Sequence, residues 1–241
     1  MTGDPVITLV DETGSTNADC ANALRSGKRA QEGHWHIARR QTSGRGRQGR
    51  QWFDGSGNFM GSTCVSIFDG DPPPSSLGFP AALAVAAAID ETLGCKNHAR
   101  TKWPNDVLIG EAKVAGLLLE RVGNAVVVGI GVNLKHAPDL PDRKTTAISD
   151  HVDNPDLETF AHSLARHFRN EIDGWRNSGL RPTLDRFEAR SIHNHGSHIS
   201  VHDVDGSRVE GSFAGLDPAD GALRLCLADG SNRVIRAGDI I

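Results

Sequence analysis

The sequence predicts an α+β fold followed by a small all-β unit, on two observations. Over roughly the first 190 residues, short apolar runs rich in β-branched residues alternate with helical patterns. From about residue 195, the chain instead consists of short alternating runs separated by Asp-Gly turns at 205–206, 220–221 and 229–230. Because regular short strands with hairpin turns are typical of small barrels, we expect a β-barrel of about 50 residues after a boundary near residue 192.

The individual elements follow from local patterns. A first strand leads into a helix that Ser15 or Thr16 can cap at its N-terminus. That helix is followed by predicted helices at 77–93, 157–175 and 182–191. Strands are predicted at 6–10, 35–39, 59–68, 99–103, 107–109, 114–120, 125–134, 198–202, 208–216, 222–227 and 233–235. The segments 40–58 and 135–146 lack periodicity, and loops of this length inside a domain are usually functional or disordered.

Composition and charge exclude several classes of protein. The chain has 241 residues and a net charge of −4, so bulk attraction to nucleic acid or to an anionic membrane is disfavoured. Its four cysteines are far apart and form no CxxC pair, which argues against a zinc site or a thiol redox motif. The N-terminal segment lacks the features of a signal peptide, and the apolar run 81–89 is too short to span a bilayer. We therefore expect a cytoplasmic protein with free thiols and no membrane or nucleic-acid partner.

An arginine-rich segment at 39–50 is the strongest sign of a ligand site. It holds five arginines, three glycines and no acidic residue. Glycine lets backbone N–H groups approach an anion, and guanidinium groups bind phosphate or carboxylate as a planar fork. The segment therefore favours an anion site, with Trp52 and Phe53 placed to stack on a base, although a solvated loop or a nucleic-acid patch fits it too. Its GxGxxG pattern opens no helix, so a Rossmann-type dinucleotide site is not expected.

Two further segments carry isolated polar residues. The turn at 102–106 could present Lys102 and Asp106 to a cleft, where the carboxylate would hold Mg²⁺ or accept a proton, although an ordinary turn is the simpler interpretation. Lys113 opens an apolar strand; if it points inward, it can stabilise charge on a transferring phosphoryl or acyl oxygen. Glycines interrupt the neighbouring strands at Gly116, Gly129 and Gly131, which suggests a close approach to the backbone by a ligand or by another strand.

Five segments together resemble the biotin–protein ligase family, in the family's order and spacing. They are Ser15-Thr16-Asn17, QTSGRGRQGRQWF at 41–53, KWPND at 102–106, KVAGLLLE at 113–120 and GIGVNL at 129–134. The resemblance implies a class II synthetase-like catalytic domain at 1–192, with a mixed sheet and flanking helices. An SH3-like barrel at 193–241 completes the expected fold.

The resemblance also implies an activity. Such enzymes join biotin and ATP into biotinyl-5′-AMP with release of pyrophosphate, and then transfer biotin to a lysine of a biotin carboxyl carrier protein or domain. Both steps place negative charge beside the biotin carboxyl group, which calls for cations, Mg²⁺ and a lid that excludes water. Only 14 residues precede Ser15, so we expect a short form without the N-terminal DNA-binding domain of some members. Members occur as monomers and dimers, which leaves a homodimer open.

The resemblance assigns site residues as well. The expected biotin contacts are Ser15, Thr16, Asn17, Gln41, Gly44, Arg45, Arg47, Lys113, Gly116, Gly129 and Gly131. The expected ATP and adenylate contacts are Arg45, Arg47, Arg50, Trp52 (framing the adenine), Lys102, Asn105, Lys113 and Asn133. Lys113, Arg47 and Asp106 are the expected catalytic residues, with Asp106 as a candidate metal ligand or as the base for the acceptor lysine. Gln48 and Gln51 stand where the family often has arginine or lysine.

Three alternatives remain at the level of sequence. A ligase of the same fold that uses lipoate or octanoate would need a similar site for carboxylate activation. A nucleic-acid-binding module would use the arginine-rich segment with Trp52, and its affinity would fall steeply with salt. A biotin or nucleotide sensor would bind its ligand without releasing pyrophosphate.

Overall fold

A seven-stranded mixed sheet forms the centre of the larger unit. The computed structural model describes residues 5–29, 31–203 and 206–241. The strands run in the order β1-β2-β3-β7-β6-β5-β4. Only the β1–β2 pair is parallel within this sheet. The strand bounds are β1 Val6–Thr13, β2 His34–Gln41, β3 Phe59–Ser66, β4 Ala99–Lys102, β5 Asp106–Ile109, β6 Ala112–Val122 and β7 Ala125–Val132.

Helices cover the two faces of this sheet unequally. The helices are α1 Thr16–Arg25, α2 Gly78–Leu93, α3 Leu157–Ser178 and α4 Leu180–Ala189. On one face, α3 packs its aromatic side chains edge-on against the sheet, with Phe168 against Trp35 and Phe160 against Phe59. The turn before α2 and α2 itself, Pro74–Leu93, are long and apolar enough to cross a bilayer, but they are mostly buried as the central helix of this core.

The other face of the sheet carries α1 and an open cleft. Successive side chains of a strand point to opposite faces. In β7, the buried residues Val128 and Ile130 belong to the core under α2 and α3. The alternate positions Gly129 and Gly131 therefore face the other way, towards α1 and the cleft. This alternation explains why glycines interrupt an otherwise apolar strand.

The C-terminal residues form a five-stranded antiparallel sheet in the order β11-β10-β9-β8-β12. Its strands are β8 His198–Asp203, β9 Arg208–Leu216, β10 Leu223–Cys226, β11 Asn232–Ile235 and β12 Gly238–Ile240. Asp205, half of one predicted turn, lies outside the described residues. The sheet contacts the larger unit where the Trp103 Nε1–H donates to the Gly221 carbonyl oxygen at 3.2 Å. The domain boundary near residue 192 falls between α4 and β8 and stays a prediction.

The α+β prediction is confirmed, with shifted bounds and one omission. Ser15 caps α1, since its Oγ accepts the Ala18 N–H at 3.4 Å. Strand β1 extends to Thr13 and β6 to Val122, beyond their predicted ends. Strand β12 was not predicted, because three residues are too few to show an alternating pattern. This short strand turns out to reach the cleft.

Candidate active site

The cleft beside α1 encloses a volume of about 1070 Å³. Sixteen of the seventeen site residues expected from the sequence line it, all except Gly44. They come from α1, the arginine-rich segment, the β4–β5 turn, β6 and β7. Gly44 lies behind the wall, where an added Cβ atom would be 3.0 Å from Gln41 Nε2. The cleft has two ends, one lined by neutral polar side chains and one by charged side chains.

The neutral end is a chain of buried hydrogen bonds between α1, β2 and β3. Gln41 Oε1 accepts the Thr16 backbone N–H at 2.7 Å and approaches Thr16 Oγ1 at 3.1 Å. Thr16 Oγ1 lies 2.7 Å from Ser62 Oγ. The Ser62 hydroxyl donates to Asn17 Oδ1 at 2.6 Å. Thr16, Asn17, Gln41 and Ser62 are all buried, so their rotamers are fixed by packing as well as by hydrogen bonds.

A glycine makes room for this chain. Ser62 pairs with Gly129 across β3 and β7, and the Asn17 amide lies directly on Gly129. A Cβ atom at Gly129 would collide with the Asn17 side chain. The group that closely approaches Gly129 is therefore a side chain of α1, whereas the sequence suggested a ligand or another strand. Ser62 was not predictable from the sequence, since a lone serine in a strand carries no signal of its own.

The charged end begins with the arginine-rich segment. Its loop closes on itself through a bridge between Arg45 and Gln51, with the Gly46 N–H donating to the Arg50 carbonyl oxygen at 2.7 Å. Gln48 adopts a left-handed conformation (φ 55°) inside the turn Arg47–Gly49. This irregular backbone is in keeping with the sequence, which predicts no helix after the GxGxxG pattern. The loop places its arginines towards the cleft and towards the C-terminal sheet.

Strand β12 supplies the acid that the arginine-rich segment lacks. Asp239 Oδ1 pairs with Arg47 Nη1 at 2.9 Å, and Asp239 Oδ2 pairs with Arg50 Nη2 at 3.0 Å. Arg47 also donates to the Gly238 carbonyl oxygen at 3.2 Å and to Asn105 Oδ1 at 3.1 Å. Arg47 thus joins the loop, the β4–β5 turn and the C-terminal sheet. Sequence reasoning missed Asp239, because its place depends on how the two sheets dock.

The second half of the charged end lies on β4, β5 and β6. Lys113 Nζ is 2.6 Å from Asp106 Oδ1, and both side chains are largely buried. Lys102 faces Asp106 in the β4–β5 register. Burial lowers the pKa of Lys102, and the nearby cations Arg143 and Lys113 lower it further, against the opposing effects of Asp106 and Asp239. Lys113 thus points into the cleft, which is the orientation that charge stabilisation requires.

Trp52 lies between the two ends of the cleft. Its ring covers Gly131 and Gly116, and a Cβ atom at Gly116 would be 2.9 Å from Trp52 Cζ3. Lys113 Nζ is 5.9 Å from the ring centroid. The two strand glycines thus provide a flat place for an indole ring. Contact between Trp52 and an adenine stays a prediction.

The segment 135–146 forms the outer rim of the cleft, and Asn133 connects it to the sheet. The Asn133 Nδ2–H donates to the Thr146 carbonyl oxygen at 3.1 Å. Arg143 pairs with Asp142 at 2.5 Å on this rim. Both residues line the cavity, so the segment lies where a covering loop would be needed.

The side chains of the cleft do not form a metal site of their own. Within the described ranges, no group of three histidine, cysteine, aspartate or glutamate side chains could hold a metal ion. Asp106, the candidate ligand, is already paired with Lys113. Mg²⁺ is commonly held by one or two carboxylates together with substrate phosphates, so a nucleotide would have to bring most of its ligands.

Comparison with known proteins identifies the family of the chain. Residues 11–135 match the family model described as the biotin/lipoate A/B protein ligase family. The chain is 35% identical over 240 residues to the biotin–[acetyl-CoA-carboxylase] ligase of Mycobacterium tuberculosis, covering 97% of this chain and 87% of that protein. It is 34% identical over 232 residues to the ligase of the same name from Paracoccus denitrificans, covering 90% and 92%.

A solved structure shows the same fold. The biotin protein ligase from Aquifex aeolicus, in complex with biotin and ATP, superimposes with a TM-score of 0.82 at 22% identity, covering 98% of this chain and 97% of that one. Both units of the fold are therefore shared. The chain belongs to the biotin/lipoate A/B protein ligase family, as the resemblance of its five segments to biotin–protein ligases predicts.

Proposed function

We propose that this protein is an ATP-dependent biotin–protein ligase. It activates biotin as biotinyl-5′-AMP and transfers it to a lysine of a biotin carboxyl carrier protein or domain. One observation carries the proposal: a buried, neutral, hydrogen-bonding surface and a cluster of cations share one cavity. Biotin has the matching shape, with a cyclic urea at one end and a carboxylate at the other. The urea needs neutral donors and acceptors, while the carboxylate and the nucleotide phosphates need cations.

In the first half-reaction, a biotin carboxylate oxygen attacks the α-phosphorus of ATP. A carbon–oxygen–phosphorus linkage forms, the bond from the α-phosphorus to the bridging oxygen breaks, and pyrophosphate leaves. We assign Lys113 to bond the carboxylate and an α-phosphate oxygen, and Arg47 and Arg50 to neutralise phosphate charge. Cations fixed in place before the reaction stabilise such a transition state most effectively.

In the second half-reaction, the neutral amine of the acceptor lysine attacks the biotin acyl carbon. An amide bond forms, the acyl–phosphate bond breaks, and AMP leaves. The attacking neutral amine loses one proton and keeps the other in the amide, and Asp106 is the carboxylate that pairs with Lys113, at 2.6 Å. We assign Asp106 as the proton acceptor in this step, with Lys113 orienting it.

The ion pairs of the charged end hold its cations in position before ligand arrives. Asp239 forms ion pairs with Arg47 and Arg50, and Asp106 forms an ion pair with Lys113. Incoming phosphates compete with these carboxylates for the same groups. Ligand entry therefore exchanges internal ion pairs for substrate contacts, which reduces the cost of keeping cations together in a partly buried site.

The neutral end favours biotin over lipoate, the main alternative. The dithiolane ring of lipoate has no N–H group and no carbonyl oxygen. The side chains of Thr16, Asn17 and Gln41 already have partners within the protein. Beside this ring, the remaining donor and acceptor positions of these side chains would go without partners. The cyclic urea of biotin satisfies them.

Pyrophosphate release with MgATP tests the proposal directly. Biotin should support release, and lipoate added in its place should not. Release with lipoate alone would keep the fold and change the substrate. Binding of biotin without any pyrophosphate release would indicate a sensor.

Further parts of the proposal concern the conditions of the reaction. We propose that Mg²⁺ enters with ATP, since Asp106 alone does not form a metal site. The four cysteines are free thiols, which supports a reducing, cytoplasmic location. The acceptor is a carrier protein or domain of a carboxylase, in keeping with the names of the Mycobacterium and Paracoccus relatives.

A further inference from the structure

Glu120 lies directly behind the neutral end of the cleft, and neither half-reaction of the proposed function uses it. It belongs to β6 and is half-buried. Its Oε2 accepts a hydrogen bond from Asn17 Nδ2 at 2.6 Å. Asn17 lines the cavity and Glu120 does not. Glu120 therefore contacts the site only through another side chain.

The carboxylate sets the direction of the hydrogen bonds that follow. An ionised carboxylate can only accept, so the NH₂ group of Asn17 must face Glu120. The Asn17 carbonyl oxygen then faces Ser62, whose single hydroxyl hydrogen is used in the 2.6 Å bond to it. Ser62 can accept but no longer donate towards Thr16. The amide orientation of Asn17 is thus determined by the acid behind it.

The donor-to-acceptor direction is also fixed for the hydrogen bonds nearest to the cavity. Because Ser62 must accept, Thr16 Oγ1 donates its hydrogen across the 2.7 Å contact between them. The Thr16 hydroxyl then has no hydrogen left for Gln41 Oε1, which lies farther away, at 3.1 Å. Gln41 Oε1 is instead held by the Thr16 backbone N–H. The Thr16 oxygen is left as an acceptor, and the second Asn17 N–H is left as a donor. A cyclic urea, with N–H donors around a carbonyl acceptor, needs both kinds of partner.

Ion pairing does not account for this carboxylate. Glu120 makes no salt bridge to any cation in the described part of the chain. The neighbouring Arg121 donates instead to the Gly123 carbonyl oxygen at 3.2 Å. The partner of this half-buried carboxylate is therefore the Asn17 amide, whose hydrogen bond offsets part of the cost of burying the charge.

We propose that Glu120 is a positioning residue that fixes the donor and acceptor pattern of the biotin pocket and so determines its specificity for a cyclic urea. This inference rests on the proposed function. Glu120 orients Asn17, Asn17 orients Ser62, and Ser62 orients the Thr16 hydroxyl. No atom of Glu120 contacts the substrate.

Glu120→Gln tests the inference, because glutamine keeps the shape of the side chain but no longer fixes the direction of the hydrogen bond to Asn17. The glutamine amide can either donate to Asn17 or accept from it. We expect KM for biotin to rise about tenfold, the loss of roughly one charge-assisted hydrogen bond, with KM for ATP changed by less than about twofold. Glu210→Gln on β9 is the matched control, since Glu210 is exposed and far from α1 in sequence.

Two biotin analogues test the donor and acceptor pattern of the pocket. In 2-iminobiotin the urea oxygen is replaced by a nitrogen that donates, whereas dethiobiotin keeps the urea. The wild-type protein should discriminate against 2-iminobiotin more strongly than Glu120→Gln does, while the ratio of biotin to dethiobiotin stays the same in both. Equal discrimination against 2-iminobiotin in the two proteins would overturn the inference.

A double-mutant cycle separates a positioning role from general damage to the fold. If Glu120 acts through Asn17, Glu120→Gln should have no further effect on KM for biotin in an Asn17→Ala background. Additive effects, or equal changes in KM for biotin and for ATP, would contradict the inference. Wild-type protein that releases no pyrophosphate with biotin would instead refute the proposed function, so the two failures are distinguishable.

Discussion

The two ends of the cleft are built on different physical principles. The neutral end consists of buried, uncharged side chains whose hydrogen bonds are satisfied within the protein. The charged end consists of cations whose partners are carboxylates from distant parts of the chain, Asp106 and Asp239. Three of the elements at the neutral end belong to the first third of the sequence, whereas the charged end draws on both sheets.

This difference teaches how one cavity can bind a neutral ring and a charged leaving group. The side chains of the neutral end are already ordered by internal hydrogen bonds, which would save the cost of ordering them when a ligand binds. The charged end must exchange partners, because its cations are occupied in the free protein. We expect substitutions at the charged end to change rates and nucleotide binding, and substitutions at the neutral end to change biotin binding alone.

Lys113→Ala should have the largest effect. It removes the largely buried cation to which the proposed mechanism assigns the reacting carboxylate and α-phosphate, so the adenylation rate should fall by about 10²- to 10³-fold at saturating biotin. Single-turnover pyrophosphate release measures this rate. Lys96→Ala, at an exposed lysine after α2, is the control. A wild-type rate in Lys113→Ala would remove Lys113 from the catalytic residues.

Arg47→Ala should have the next largest effect. It breaks the charge-assisted bond to Asp239 and removes the phosphate contact proposed for Arg47, so biotinyl-5′-AMP should escape about 10- to 100-fold faster. Release of labelled intermediate into filtrate measures the escape. Arg39→Ala, an exposed arginine of the same segment, should retain the intermediate like wild type. Equal retention in Arg47→Ala would mean that the loop is merely solvated.

Gly129→Ala should affect the neutral end selectively. The new methyl group collides with the Asn17 amide, so Asn17 must move away from Ser62. We expect the Kd for biotin to rise about tenfold while the Kd for ATP changes little. Isothermal titration with each ligand measures both constants. A parallel loss of affinity for ATP would show that the two ends are not separable.

Lys102→Arg should have the smallest effect, visible only in a pH profile. The pKa of Lys102 is lowered, chiefly by burial, so this lysine loses its charge at a lower pH than an ordinary lysine would. If its charge helps to hold ATP, kcat/KM for ATP should fall as pH rises through that pKa, and arginine should move the fall to higher pH. Profiles between about pH 7 and 10.5 test this. If the fall of kcat/KM at high pH is the same in Lys102→Arg as in wild type, Lys102 does not contribute its charge to nucleotide binding.

Local signals made much of this site predictable from the sequence. The cap at Ser15, the turn at 102–106 and the irregular loop after Gln41 follow from residue types over a few positions. These features are local, so no knowledge of the packing is needed to find them. The family resemblance then supplied their common purpose.

Long-range contacts were not predictable in the same way. Ser62 matters because the register of β3 places it opposite Gly129, and Asp239 matters because the C-terminal sheet docks beside Arg47. Glu120 was within a recognised segment, but its role depends on the packing of α1 against β6. Each of these residues acquires its role only when elements distant in sequence are brought together.

Trp52 gives the protein a built-in optical reporter. Trp35, Trp103 and Trp175 are buried in the core, whereas the indole of Trp52 lies on the strand glycines of the cleft, near the ammonium group of Lys113. Its emission should therefore respond to a ligand that displaces Lys113 or covers the ring, without any attached dye. Stopped-flow fluorescence of the unlabelled protein could then record the order in which its two small substrates arrive.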